Sequence, residues 1–246
     1  MANLSKKKVM IFAAGLGTRL QPITNSIPKA LVEVNNKPLL QYALEHLKQH
    51  QVTDVVINVH HFANLMVDFL EKHQNFGLNI TISYENDELL ETGGGLWKAK
   101  SYFNDVDDFI VCNADILCDI DLTAMVDFHQ KNNCLATLAV STRKSSRNLL
   151  FDDANQLKGW KNNKTEATIS VVENSTLLQP FAFDGFHVIS TKIFDFPYNE
   201  KKFSITDWYL SLCKEQQIMA YLYQSNYWFD IGTKEKLATA NNYFNH

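Results

Sequence analysis

The chain has 246 residues, 46% of them hydrophobic and 12% aromatic, with a formal net charge of −4. That composition can bury a sizeable core and excludes an intrinsically disordered chain. The charge balance gives no reason to expect nucleic acid or an anionic membrane as partner, so a phosphate ligand would have to be met by locally placed cations.

At the N-terminus, Lys6-Lys7-Lys8 precede an apolar run, Val9 to Ala14, that ends in Gly15-Leu16-Gly17-Thr18-Arg19. A secretory signal needs an apolar region of roughly 7–15 residues and a cleavage site, which this segment lacks. A basic tail over residues 1–8 and a single domain over residues 9–246 are expected. No run of about 18 apolar residues exists, so no membrane-spanning helix is expected.

Val9 to Ala13 is apolar without alternation, as in a strand covered on both faces. Pro38 stands where a helix-opening proline belongs, before Leu39 to His50. Asp54 to Val59 reads as a second buried strand, Asn64 to Gln74 as a helix and Asn79 to Tyr84 as a strand. Gly95 to Tyr102 is predicted helical, beginning at the glycine run. Phe109 to Cys112 (strand), Leu122 to Lys131 (helix) and Leu135 to Ser141 (strand) follow. This alternation predicts an α/β fold of three layers, α/β/α, around a largely parallel mixed sheet. The second half is less regular. Leu149 to Lys161, Thr168 to Val172 and Phe181 to Ile189 suggest a small antiparallel extension. Ser204-x-x-Asp207 resembles a capping box before a helix to Cys213; Met219 to Tyr223 and Tyr227 to Phe229 read as strands, and Lys234 to Tyr243 as a closing helix.

The four cysteines, Cys112, Cys118, Cys134 and Cys213, form no C-x-x-C pair, as expected for reduced, partly buried thiols in a cytoplasmic protein. His46 and His50 lie one helical turn apart without a third ligand, and the neighbours His60 and His61 would face opposite ways on a strand. All four read as non-ligands, with His46 and His50 on the helix surface near its C-terminus.

Five of the nine glycines fall in two clusters, Gly15/Gly17 and Gly93-Gly94-Gly95. Glycine lets a backbone approach a ligand closely. The first cluster fits neither a dinucleotide fingerprint, since Leu20 stands where a third glycine belongs, nor a P-loop. It does fit a backbone cradle supplemented by two cations, Arg19 within the loop and Lys29 after Pro28. Asp115 and Asp230 each follow an apolar strand-like segment, at strand ends where ligands of open α/β sheets gather, and Mg²⁺ takes such carboxylate ligands. Their separation in sequence leaves open whether they meet.

The run Ala13-Ala14-Gly15-Leu16-Gly17-Thr18-Arg19-Leu20-x-Pro22, with Pro28-Lys29-Ala30-Leu31, resembles the signature of sugar-1-phosphate nucleotidylyltransferases. Glu91-Thr92-Gly93-Gly94-Gly95, Asn113-Ala114-Asp115, Ile205-Thr206-Asp207 and Trp228-Phe229-Asp230-Ile231-Gly232-Thr233 continue the match in the same order. Within the family, the glycine run and Phe183-Asp184-Gly185-Phe186 are most similar to N-acetylmuramate-1-phosphate uridylyltransferases; short mannose-1-phosphate guanylyltransferase-like proteins are also similar.

The resemblance implies transfer of a nucleotidyl group from an NTP to a sugar 1-phosphate, with release of pyrophosphate. It implies Arg19 and Lys29 as catalytic cations, Ala14, Gly15, Gly17, Thr18 and Gly94 at the nucleotide, Asn113 and Gly185 at the sugar phosphate, and Asp115 and Asp230 on Mg²⁺. UTP with an N-acetylated hexosamine 1-phosphate is the expected pair, GTP with mannose 1-phosphate the alternative. A muramate would need a cation for its lactyl carboxylate, for which Arg147, Lys161 and Lys164 are candidates. Two departures stand out: Ala114 replaces the family's usual glycine, and no Glu-Lys-Pro sugar motif appears between Gln156 and Gln179. The competing readings are a glycosyltransferase using Asp119-Ile120-Asp121 as a metal motif and a non-catalytic nucleotide-sugar sensor. Arg19 and Lys29, suited to a triphosphate, disfavour the first; the intact set of two cations and two aspartates disfavours the second.

Overall fold

The computed structural model describes residues 3–172 and 177–245. In chain order its elements are β1 (Lys8–Phe12), the two-residue strands β2 (Glu33–Val34) and β3 (Lys37–Pro38), α1 (Leu39–Gln49), β4 (Asp54–Val59), α2 (Ala63–Lys72), β5 (Asn79–Tyr84), α3 (Glu91–Lys98), β6 (Asp108–Asn113), β7 (Ile116–Cys118) and α4 (Leu122–Asn132). Then come β8 (Ala136–Ser141), β9 (Arg147–Phe151), β10 (Leu157–Asn162), β11 (Thr168–Ser170), β12 (Gln179–Ser190), α5 (Ile205–Leu212), β13 (Ile218–Leu222), β14 (Trp228–Asp230) and α6 (Lys234–Phe244).

The main sheet runs β11-β10-β9-β12-β6-β1-β4-β5, with β8 between β12 and β13. β6, β1, β4 and β5 are mutually parallel. β12 is antiparallel to β6, β8 and β9. Alternate residues of the central strands serve different layers, as a pleat requires. Val9, Ile11, Ile110 and Cys112 pack with Leu44 of α1 and Met125 of α4. Met10, Phe109 and Val111 pack with Leu96 of α3 and Trp208 of α5. The sheet is thus covered on both faces, giving the three-layer α/β/α fold. Each such fully buried aliphatic side chain contributes roughly 1.5–3 kcal/mol.

The antiparallel part is built on β12, which is 12 residues long and serves two neighbourhoods, pairing β6 and β8 at one end and β8 and β9 at the other. The register shift between Phe183 and His187 lets one strand do both. Residues 1–8 are not a free tail over the part described. Leu4 is buried in the core, Leu4–Lys6 form a single 3₁₀ turn, and Lys8 already belongs to β1. Helix α3 starts at Glu91, before the glycines, and ends by Lys98. The Ser204 hydroxyl accepts from the Thr206 amide at 3.1 Å, so the capping contact falls one residue short of a capping box.

The end of the sheet farthest from the strand termini discussed below holds a buried polar cluster. Asp108, at the start of β6, takes Lys7 at 3.1 Å and His129 at 3.4 Å. Burial opposes charging His129, but Asp108 and Cys134 outweigh it and raise its pKa above the usual 6.5. Asp108 is also penalised by burial, yet its bonds to His129 and Lys7 hold it below the usual 3.8. A raised histidine stabilises the fold fully below its unfolded pKa and loses that contribution as pH rises through the folded value. A depressed carboxylate stabilises above its unfolded pKa and loses it as pH falls through the folded value. Asp108→Asn should therefore lower Tm most between about pH 4 and 6.5, with a smaller penalty above that window, where the charge on His129 is gone and the Lys7 and Gln130 contacts persist. Thermal melts of both proteins from pH 3.5 to 9 check this; a penalty that grows above pH 7 would contradict it.

Candidate active site

A cleft of about 340 Å³ opens at the carboxyl ends of β1 and β6 and is lined by Ala13, Ala14, Gly15, Lys29, Asn58, Glu91, Thr92, Asn113, Asp115 and Ser204, among others. The loop after β1 builds one wall. Gly17 holds φ of +64°, and a Cβ there would meet Thr24 Cγ2 at 2.9 Å and Lys29 Cβ at 3.0 Å, so glycine is required by conformation and space alike. The Leu20 amide and the Thr24 hydroxyl both donate to the Gly17 carbonyl, at 2.8 and 2.9 Å, which locks this turn. Gly15 differs: an added Cβ would meet no protein atom within 4 Å, so the room beside it lies open. Thr18 and Arg19 are exposed at the tip.

Lys29 ion-pairs with Asp115. Asp115 and Asp230 are brought next to each other along the backbone by a ribbon separate from the main sheet. β7, which begins at the residue after Asp115, pairs antiparallel with β14, setting Asp230 opposite Ile116. The Ile231 amide donates to the Asp115 carbonyl at 2.9 Å. A Cβ on Gly232 would lie 3.0 Å from Asp230 Oδ1 and 3.2 Å from Arg19 Nη2, so guanidinium and carboxylate converge over this glycine. Asp230 also pairs with Lys236 of α6 at 2.5 Å. The backbone bond from Ile231 to Asp115 thus sets the Lys29–Asp115 pair beside the place where Arg19 and Asp230 converge. Asn113 and Gly185 are neighbours too: Gly185 has φ of +87°, and a Cβ on it would come 3.3 Å from Asn113 Nδ2.

Gly94 stands apart from these residues. The three consecutive glycines are buried inside α3 and do not line the cleft. Their missing side chains make room for protein, since an added Cβ would meet Phe203 at 2.3 Å from Gly93, the Lys201 carbonyl at 2.4 Å from Gly94 and Glu85 Oε1 at 2.7 Å from Gly95. The run is a packing requirement, and Glu91 and Thr92 at its head are what reach the cleft. Ala114 is buried, its amide donating to the Phe12 carbonyl at 3.1 Å, so a methyl fits where the family has glycine. Asp119 accepts from the Asn226 amide at 3.0 Å and Asp121 caps α4, which gives both carboxylates of the Asp-x-Asp run structural partners. His46 is not a free surface group: it contacts the Ile120 carbonyl at 3.0 Å, and burial lowers its pKa to about 4. Lys161 pairs with Glu166 at 2.8 Å, and neither it, Lys164 nor Arg147 lines the cleft.

Asn58 and Glu85 were missed by sequence reasoning. Asn58 Oδ1 accepts from the Ala13 amide at 2.7 Å, its Nδ2 donates to Glu85 Oε1 at 2.7 Å, and Glu85 Oε2 accepts from the Leu90 amide at 2.9 Å. This buried chain ties the loop after β1 to the segment leading into α3. The only hint was a polar residue inside the apolar run Asp54 to Val59.

The three-layer fold, with Lys29 and Asp115 in a cleft at the carboxyl ends of its parallel strands, has the layout of an open α/β domain whose ligands bind beyond the strand ends. The chain belongs to the nucleotidyl transferase family, whose model matches residues 8–152. It is 36% identical over 144 residues to a UTP–glucose-1-phosphate uridylyltransferase of Synechocystis sp., a match covering 55% of this chain and 37% of that one. It is 38% identical over 136 residues to a mannose-1-phosphate guanyltransferase of Yarrowia lipolytica, covering 54% and 37%. The matched stretch thus spans little more than a third of these relatives' length. Among solved structures, HddC from Yersinia pseudotuberculosis complexed with GMP-PN superposes with a TM-score of 0.76 at 24% identity over 97% of this chain and 99% of that one. A putative glucose-1-phosphate thymidylyltransferase from Bacillus anthracis gives 0.80 at 21% identity, over 96% and 94%. At these identities the likeness is one of fold. Among the described residues, no helix is long and apolar enough to cross a membrane.

Proposed function

We propose that this chain transfers a nucleotidyl group from an NTP to a sugar 1-phosphate, releasing pyrophosphate. The observation that carries the reading is the Lys29–Asp115 pair in the cleft, with the ribbon that begins after Asp115 setting Asp230, and Arg19 near it, next along the fold. The names of the curated relatives, a uridylyltransferase and guanyltransferases acting on sugar 1-phosphates, support the same class.

The sugar phosphate is itself the nucleophile, so no activated serine or cysteine is required. What remains is in-line positioning and neutralisation of charge at the α-phosphate. The open space at Gly15 admits the triphosphate against the backbone between Ala14 and Thr18. Arg19 grips the departing pyrophosphate, Lys29 turns from Asp115 to the phosphates, and Asn113 with Gly185 seats the sugar phosphate. The donor set fits Mg²⁺. Asp115 and Asp230 offer hard oxygens, and among the described residues no group of three or more His, Cys, Asp or Glu could hold a metal. A cation here would complete its shell from phosphates and water, as Mg²⁺ commonly does. Bound there, Mg²⁺ would supply charge neutralisation at the α-phosphate.

We favour UTP and an N-acetylated hexosamine 1-phosphate, with N-acetylmuramate 1-phosphate first, on the resemblance of the Glu91 to Gly95 and Phe183 to Phe186 runs. GTP with mannose 1-phosphate is the second reading, favoured by the guanyltransferase relatives. A matrix of UTP, GTP, CTP, dTTP and ATP against N-acetylmuramate, N-acetylglucosamine, glucose and mannose 1-phosphates separates them. The highest kcat/KM is expected for UTP with an N-acetylhexosamine 1-phosphate; a maximum at GTP with mannose 1-phosphate would select the second reading.

A further inference from the structure

The ribbon that carries Asp230 is three residues wide on each strand and pairs outside the main sheet. A two-stranded ribbon of that size is marginal on its own and needs an external fastening. Arg143, just beyond the end of β8, supplies one. Its Nε donates to Asp184 Oδ1 at 2.6 Å and its Nη2 to the Phe183 carbonyl at 2.6 Å. Its guanidinium also lies over the Trp228 ring, 3.6 Å from the centroid. Trp228 closes the loop by donating its indole N–H to the Asp184 carbonyl at 3.1 Å. Trp228 and Asp230 are two apart on one strand, so their side chains leave the same face. Asp184 precedes Gly185, the residue packed against Asn113. The cluster therefore bolts the ribbon bearing one aspartate to the strand bulge that packs against Asn113.

We propose that Arg143 is a positioning residue that holds Asp230 in its metal-binding place by clamping Trp228 to the Asp184–Gly185 bulge. This rests on the nucleotidyl-transfer reading for the role of Asp230. An ordinary structural ion pair would affect stability alone, because nothing would pass from Arg143 to the carboxylate two residues beyond Trp228. A group that orients a metal ligand instead changes metal affinity, typically 10–100-fold.

The probe is Mn²⁺, titrated by its free-ion EPR signal against the whole chain with UTP, and in parallel with GTP, in the absence of any sugar phosphate. Arg143→Met should weaken Mn²⁺ binding about tenfold while the melting temperature moves by only a few degrees. Arg143→Lys should recover part of the loss, since lysine keeps the charge but cannot span Asp184 and the Phe183 carbonyl together. In an Asp230→Asn background, Arg143→Met should add almost nothing, because both changes act on one ligand. Trp228→Phe, which keeps a ring beneath the guanidinium but loses the N–H, should cost about threefold and carries the test if Arg143→Met does not fold. Mn²⁺ affinity that ignores both substitutions, or losses that multiply with Asp230→Asn, would overturn the inference and leave the proposed function standing. A wild-type chain that binds no Mn²⁺ with either nucleotide would overturn both.

Discussion

Replacing either Asp115 or Asp230 with alanine is expected to abolish transfer, by on the order of 10³-fold or more, with the fold intact. Charge neutralisation by a bound metal is worth several kcal/mol in a transition state, and each 1.36 kcal/mol is a factor of about ten. Neither aspartate is part of the core. Asp115 holds Lys29 and Asp230 holds Lys236, both partly exposed pairs of the kind that add little to stability. Loss of activity should therefore come without loss of structure, and melts alongside steady-state rates would show it. The isosteric Asp→Asn changes should be nearly as severe, because the amide keeps the shape and loses the charge. Excess EDTA should mimic both variants on the wild-type chain. Full activity in EDTA, or in either alanine variant, would remove the two-aspartate assignment.

Arg19→Ala is expected to lower kcat with NTP by about 10²–10³-fold, the usual cost of losing one preorganised group that meets developing charge. Arg19 is exposed at the loop tip and converges with Asp230 over Gly232, which suits a side chain that grips pyrophosphate as it leaves. Binding of the nucleotide-sugar product should be much less affected, since that ligand carries no pyrophosphate leaving group. Arg19→Lys should rescue only in part, because an ammonium cannot make the paired contacts of a guanidinium. Calorimetry of product binding beside single-turnover rates separates the cases. Equal loss in both would mark Arg19 as a structural residue.

The layered fold was legible because buried parallel strands announce themselves as unbroken apolar runs, Val9 to Ala13 and Asp54 to Val59 above all. The loop after β1 was legible as a candidate phosphate cradle because its glycines, Arg19 and Lys29 lie close together in the chain. What the sequence hid depends on distant partners. The nearness of Asp230 to the Asp115 backbone comes from the β7–β14 pairing, which no local pattern encodes. The glycine run of α3 reads as an opening for a ligand until Phe203 and Lys201 are seen filling that space from far along the chain. Glu85 looks like an ordinary strand-end carboxylate, yet it is buried and bonded to Asn58 and Leu90. The pairing of Arg143 with Trp228 carries no local signal, since the cation and the ring are brought together only by the fold.

In the proposed transfer, the bond broken lies between the α- and β-phosphates and the α-phosphate goes to a sugar 1-phosphate. The direct measurement incubates the chain and Mg²⁺ with NTP labelled at either the α or the γ position, together with the sugar 1-phosphates of the matrix above. The α label is expected to appear entirely in a nucleotide sugar, with the γ label recovered as pyrophosphate. A γ label found in a phosphorylated sugar, or no label transfer with any NTP and sugar phosphate in the set, would contradict it.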